Sequence, residues 1–244
     1  MATADLTLLM YPRQASSVSD RDILTAFLQE LVYRGYLILP DQNGVLLLRQ
    51  RFEAKTLAPG IEPEVERDRD AFTQGQGDAF RCILRLVPEP ERDYGLAFTF
   101  AAWRDGTLWV DVDDGNFKYT DEGLQNYERF IDFIQTVYQF WPLHYGYLGD
   151  GPEWDAEDAK TFRPDELHEI TILGPEYVAR LGRENIRRAQ VWKKIDMSDG
   201  GVILVVMVYA QYTQPDLDIH PARIARQFGW NSSQFMDEVE DEVE

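Results

Sequence analysis

Apolar and polar residues are arranged in two distinct ways along this chain, at helical spacing and in strict alternation. The strongest helical run is residues 120–141, where apolar side chains recur every three or four positions until Pro142. A second run, residues 17–36, predicts a helix with Ser19 as its N-cap and Asp22 three residues later as a capping-box acid. Its apolar stripe is Leu24, Phe27, Leu28 and Leu31.

Short apolar or alternating runs bounded by turn residues predict the strands. The last of them, residues 191–197 and 202–210, flank an Asp-Gly-Gly turn and are predicted to form a hairpin. The pattern favours an α+β fold with a largely antiparallel sheet packed by a long apolar helix, and an N-terminal strand-helix-strand-strand module. The remaining predicted strands are residues 6–11, 36–40, 44–54, 79–89, 94–103 and 106–114.

These elements divide the chain into four predicted parts. Residues 1–55 form the N-terminal module, and residues 56–79 form an acidic, flexible excursion with little apolar periodicity. Residues 80–236 form the main α+β domain. Residues 237–244, of which six are acidic, form a disordered tail because such a block repels itself.

The formal net charge is −19, and removing the tail still leaves −13. An acidic surface disfavours direct binding of nucleic acid and of anionic membranes, and it favours a basic protein partner. The single cysteine, Cys82, excludes an internal disulfide and is expected to lie buried on a strand. The N-terminus does not have the pattern of a signal peptide, so a cytoplasmic location is expected.

Two stretches invite a ligand-binding interpretation. Gly174-Pro175 lies between a predicted strand and helix, as in phosphate-binding turns, but Pro175 has no amide hydrogen and Glu176 would repel an anion. A bend that packs the helix is therefore predicted there. Asp111, Asp113 and Glu122 have partial calcium-loop spacing. We expect no cofactor, but a metal site built from Asp111, Asp113 and Asp114 stays open.

Aromatic residues crowd the middle of the chain. Exposed aromatic rings next to acids are suited to anchor a protein partner. A loop is predicted after Pro142, and its rings and acids are the candidate partner-binding residues: Tyr145, Tyr147, Trp154, Asp155, Glu157 and Asp158. The other aromatic residues of this group are Trp103, Trp109 and Trp141.

The last third of the chain resembles bacterial immunity proteins, the cytosolic antidotes encoded with polymorphic or type VI secretion toxins. The resemblance covers "ITILGPEYVARLGRENI" and "DMSDGGVILVVM", a strand leading to a helix and then an Asp-Gly-Gly turn before an apolar strand. The matching residues are Gly174, Tyr177, Val178, Leu181, Gly182, Asp199, Gly200 and Gly201. The resemblance implies a non-enzymatic α+β protein that binds and blocks another protein, and it transfers no catalytic residue.

The sequence therefore predicts a cytoplasmic protein-binding module, immunity-like or a defence-system accessory, whose partner is a basic toxin or effector enzyme. One alternative is a metal-dependent hydrolase that uses Asp111, Asp113 and Asp114 with His144. Another is an acidic mimic of nucleic acid. The oligomeric state is not indicated by the sequence.

Overall fold

The computed structural model describes residues 5–54, 57–87, 96–117, 120–150, 166–206 and 221–232. The helices are α1 (Arg21–Tyr33), α2 (Gly44–Glu53), α3 (Pro63–Thr73), α4 (Asp121–Phe140), α5 (Pro175–Leu181), α6 (Arg183–Arg188) and α7 (Pro221–Phe228). The strands are β1 (Asp5–Pro12), β2 (Tyr36–Pro40), β3 (Gly60–Ile61), β4 (Ala79–Leu86), β5 (Ala97–Trp103), β6 (Leu108–Asp113), β7 (Leu143–Asp150), β8 (Glu166–Leu167), β9 (Ile170–Leu173), β10 (Lys193–Asp196), β11 (Val202–Val205) and β12 (Asn231–Ser232). Short 3-10 helices occupy Ala15–Ser19 and Asp114–Phe117.

A ten-stranded sheet organises the fold, in the order β10-β11-β9-β7-β1-β6-β5-β4-β2-β3. Every neighbouring pair in it is antiparallel except β2 and β3, which are parallel. The predicted α+β class with a largely antiparallel sheet is therefore confirmed. This one sheet contains strands of both the predicted N-terminal module and the predicted main domain, while β8 and β12 pair separately.

One face of the sheet packs against α1, α3 and α4 in the main hydrophobic core. The long apolar helix was predicted correctly, as α4. Its N-cap is Thr120, as predicted, whose hydroxyl accepts a hydrogen bond from the Gly123 amide at 3.1 Å. The N-cap of α1 is Asp20 rather than the predicted Ser19. Its carboxylate accepts from the amides of Asp22 and Ile23. The predicted apolar stripe of α1 is buried.

The opposite face of the sheet is covered over only part of its width. On β9 and β11 every residue is buried, because α5, α6 and α7 close a second hydrophobic cluster over this side. On β4, β5 and β6 burial largely alternates, since only the residues that point toward α1, α3 and α4 are regularly enclosed. We call the partly exposed side of these three strands the open face; its side chains include Arg81, Arg85, Thr99, Trp103, Trp109 and Asp111.

Two predictions about the N-terminal third were wrong. Residues 44–53 form helix α2 and not a strand: Asn43 takes a left-handed conformation (φ 66°), and Leu, Arg and Gln then favour the helix. Part of the predicted flexible excursion, residues 63–73, is helix α3. Pro63 occupies its first turn, and Val65 and Phe72 are buried in the main core.

The Gly174-Pro175 turn is a packing bend, as predicted. A Cβ on Gly174 would lie 2.6 Å from the carbonyl oxygen of Leu143 and 2.7 Å from that of His144, so only glycine fits between β9 and α5. The predicted hairpin of β10 and β11 is present. Among the described residues, no helix combines the length and apolar character needed to cross a membrane.

Candidate functional site

Two tryptophans lie side by side on the open face. The ring centroids of Trp103 on β5 and Trp109 on β6 are 6.0 Å apart, and both rings are partly exposed. The guanidinium carbon of Arg81 on β4 lies 4.8 Å from the Trp103 ring centroid, within the range of a cation–π contact. The two rings and the guanidinium together form the floor of the candidate site.

Asp111 is fixed at the edge of this floor. Its carboxylate accepts hydrogen bonds from the Trp109 indole nitrogen and, at 3.0 Å, from the Thr7 hydroxyl. The bond from Thr7 positions the carboxylate, and the bond from the indole fixes the orientation of the partly exposed Trp109 ring. Asp113, two residues further along β6, is exposed and accepts from the Gly115 amide at 2.7 Å. We call Trp109, Asp111 and Asp113 the acidic side of the open face.

The candidate rings of the predicted loop are not where the sequence placed them. Residues 143–150 are strand β7, paired with β1 and β9 in the middle of the sheet, and not a loop. Tyr145 and Tyr147 are only 1% and 5% exposed because α5 to α7 cover that side of β7. The expectation that these two rings form an exposed surface is therefore wrong. The other candidates, Trp154, Asp155, Glu157 and Asp158, lie outside the described residues.

The tyrosines of β7 enclose His168. Its ring stacks on Tyr147 with centroids 4.4 Å apart, and Gly149 approaches its Nδ1. Burial lowers the pKa of His168 to about 4, so the imidazole is neutral at physiological pH. This buried histidine serves packing within the covered part of the sheet.

The structure does not bring together the residues of the hydrolase alternative. Asp111 lies opposite Thr7, which pairs with Gly149 of β7, whereas His144 is near the other end of that strand. His144 instead lies 3.7 Å from the Glu176 carboxylate and contacts the Tyr177 ring. Across the described ranges, no group of three or more His, Cys, Asp or Glu side chains is arranged to hold a metal ion.

A cavity and a thiol lie elsewhere in the fold. The cavity, of about 370 Å³, opens beside β2 and α4, and its lining contains none of the predicted site residues. Cys82 is buried on β4 as predicted, and burial raises the pKa of its thiol, which keeps it protonated and unreactive.

Sequence reasoning noted Trp103 and Trp109 but did not separate them from Trp141, which is fully buried. It missed Arg81 and Arg85 of the open face, although their alternation with buried residues in "FRCILRL" is a signal that they share one side of a strand. It also missed the exposed apolar residues of α2, because that segment was assigned to a strand.

Comparison with known proteins gives little further definition. No protein family and no curated protein matches the chain. Among solved structures, the chain is similar to the Pseudomonas aeruginosa T6SS protein PA0821, with 10% sequence identity and a TM-score of 0.42. That alignment covers 98% of this chain and 86% of the other. The chain thus has a weak structural neighbour among T6SS proteins, and at this TM-score the similarity carries no argument about function.

Proposed function

We propose that this protein is a non-enzymatic protein-binding module that binds its partner through the acidic side of the open face. The observation that supports the proposal is the pair of adjacent, partly exposed tryptophans on β5 and β6. Partly exposed tryptophans held by their neighbours lose little conformational entropy on binding, and tryptophan is enriched among the residues that dominate binding energy. The surface is proposed to act by binding a partner protein non-covalently.

The partner that fits this surface is a basic protein. The net charge of −19 attracts positive charge at long range and accelerates encounter. At short range, Asp111 and Asp113 stand beside Trp109 and offer carboxylates to lysine or arginine side chains of the partner. Within this proposal, the resemblance of the last third to immunity proteins suggests that binding blocks a toxin or another effector enzyme.

The proposal is tested by capturing the partner and then measuring its affinity. The wild-type protein and the variant Trp109→Ala are immobilised and exposed to a lysate of the source cells, and the captured protein is purified and titrated by calorimetry. Tyr33→Ala is the matched control, since Tyr33 is strongly exposed on α1, away from the open face. We expect Trp109→Ala to weaken binding about thirty-fold, because a central aromatic anchor contributes about 2 kcal/mol.

The charge part of the proposal has its own test. Asp111→Asn with Asp113→Asn keeps the side-chain shape and removes two negative charges. Binding of a basic partner should weaken and should lose part of its dependence on salt concentration.

The tryptophan test has an outcome that contradicts the proposal. Equal affinities for wild type, Trp109→Ala and Tyr33→Ala, with thermal unfolding unchanged, would show that the partner binds elsewhere.

A further inference from the structure

Two arginines of β4, Arg81 and Arg85, lie on the open face. Arg81 is exposed and its guanidinium contacts the Trp103 ring, and Arg85 is partly buried further along the strand. Within the described part of the chain, neither guanidinium has an ion pair or a hydrogen bond. Several other arginines are paired with acids, as Arg69 is with Asp70 at 2.8 Å. Arg81 and Arg85 thus place two positive charges on this strip that are available to an acidic ligand.

The same strip contains two buried donors that lack an acceptor among the described residues: Nε of Arg85 and Nε1 of Trp103. A buried donor left unsatisfied destabilises the protein, so an acceptor brought by a ligand would be favourable. In the β4–β5 register, Arg85 lies opposite Ala97 and Trp103 lies opposite Ala79. Along the strands, the backbone positions of Arg85 and Trp103 are therefore six residues apart, roughly 20 Å, a length of strip that an extended segment of a macromolecule can follow.

Helix α2 forms an apolar wall next to this strip. Its first residue, Gly44, packs against Ile83, which lies between the two arginines on β4. The charges of α2 are already paired, Arg49 with Glu53 and Arg51 with Glu62. Beside the exposed Arg49–Glu53 pair, α2 presents three large apolar side chains to solvent: Val45, Leu46 and Phe52 are 73%, 55% and 54% exposed.

We propose that Arg81, Arg85 and the apolar wall of α2 bind an acidic segment of another protein that also carries large apolar side chains. Carboxylates of the segment pair with the two guanidiniums, and its apolar side chains cover Val45, Leu46 and Phe52. Burial lowers the pKa of Arg85, which shows that its charge is poorly solvated and gains from a carboxylate.

A peptide fits this surface better than a nucleic acid does. The net charge of the chain repels phosphates and carboxylates alike, but a phosphate backbone has no apolar groups to cover Val45, Leu46 and Phe52 of α2. The site adjoins the acidic side of the open face, with Trp103 between them, but its charged residues lie on β4 whereas Trp109, Asp111 and Asp113 lie on β6. Substitutions at Arg85 and Phe52 therefore test it separately from the proposed function.

The test measures fluorescence anisotropy of a labelled amphipathic peptide of repeated Glu-Leu-Leu-Glu units, titrated with the full-length protein. We expect saturable binding that weakens as salt concentration rises. The double variant Arg81→Gln/Arg85→Gln should bind about ten-fold more weakly or worse, since two charge-assisted contacts are lost. The control Arg67→Gln/Arg187→Gln removes the same charge from exposed positions on α3 and α6 and should bind as wild type does.

Two further measurements test the role of the apolar side chains of α2 and the preference for a peptide over a nucleic acid. Phe52→Ser should weaken the Glu-Leu peptide and leave a peptide of glutamate alone unaffected, because only the former uses the apolar wall. A single-stranded oligothymidine of similar length should bind more weakly than the Glu-Leu peptide. The proposal is overturned if the oligonucleotide binds more tightly, or if both double variants lose affinity equally. It is also overturned if the Glu-Leu peptide does not bind the wild type. Circular dichroism of each variant shows whether the fold is kept.

Discussion

The Tyr138 hydroxyl on α4 donates a hydrogen bond to the Asp199 carboxylate at 3.0 Å, although the two residues are 61 positions apart. Asp199 also accepts from the Gly201 amide at 2.9 Å and pairs with Arg13. The Asp-Gly-Gly turn is thus tied to the long helix and to the end of β1. Its glycine is required sterically, since a Cβ on Gly201 would lie 2.1 Å from the Tyr138 hydroxyl oxygen.

This contact predicts a coupled effect on stability. Tyr138→Phe should lower the free energy of unfolding by about 1 kcal/mol, through loss of one hydrogen bond to a carboxylate. Gly201→Ala should cost about 2 kcal/mol through overpacking. Urea unfolding of both single variants and of the double variant measures the coupling. The double variant should lose less than the sum, because removal of the tyrosine hydroxyl would leave more room for the added methyl group. Strict additivity would contradict the contact.

The Gly174 bend predicts a larger loss than an ordinary glycine substitution. Gly174→Ala forces a Cβ against two backbone carbonyl oxygens that belong to β7 and cannot rotate away. The free energy of unfolding should fall by about 2 kcal/mol or more. Gly60→Ala is the matched control, because a Cβ there would meet no atom within 4 Å. Similar thermal midpoints for the two variants would show that the bend is less tightly packed than described.

Stability should depend on pH through His168. Its pKa is about 4 in the folded protein and about 6.5 when unfolded. Between these values the unfolded chain binds more protons, so acid favours unfolding. The free energy of unfolding should therefore fall by about 3 kcal/mol as pH drops from above 6.5 to 4. It should not change through this group above that window.

The variant His168→Gln removes this dependence. Urea titrations at neutral pH and at the acid end of the window should show a smaller loss for the variant than for the wild type. Since carboxylates also titrate in acid, the difference between the two proteins isolates the histidine. A variant with an undiminished slope would assign the acid sensitivity to other groups.

A metal titration distinguishes the proposed protein-binding module from the alternative of a metal-dependent hydrolase. Asp111 is occupied by hydrogen bonds from Thr7 and Trp109, and His144 is far from it along β7. We expect calorimetric titration with Mg²⁺ or Ca²⁺ to show no stoichiometric binding, and chelation to leave the unfolding temperature unchanged. Tight binding of one ion that Asp113→Ala abolishes would favour the enzyme.

The parts of the fold that the sequence predicted well have long periodic patterns or strong turn signals. Helix α4 and the β10–β11 hairpin are examples, since a stripe over twenty residues or an Asp-Gly-Gly turn leaves few alternatives. Helix α2 was assigned wrongly because a short apolar run such as "GVLLL" fits a helix or a strand equally well.

The candidate site was harder to predict, because exposure depends on which helices cover the sheet. Tyr145 and Trp109 both lie on strands that pair with β1, yet Tyr145 is buried in the second hydrophobic cluster whereas Trp109 packs at its margin and stays partly exposed. Nothing in the local pattern of either strand contains that information. Tertiary packing between residues distant in the sequence decides it.

Hydroxyl-radical footprinting of the protein, free and bound to its captured partner, tests the central claim most directly. This method reports the exposure of individual side chains. Oxidation of Trp109 and Trp103 should fall several-fold in the complex, while oxidation of Tyr33 on α1 should not change. Unchanged oxidation of both tryptophans, with protection confined to other surfaces, would contradict the claim that the open face of the sheet binds the partner.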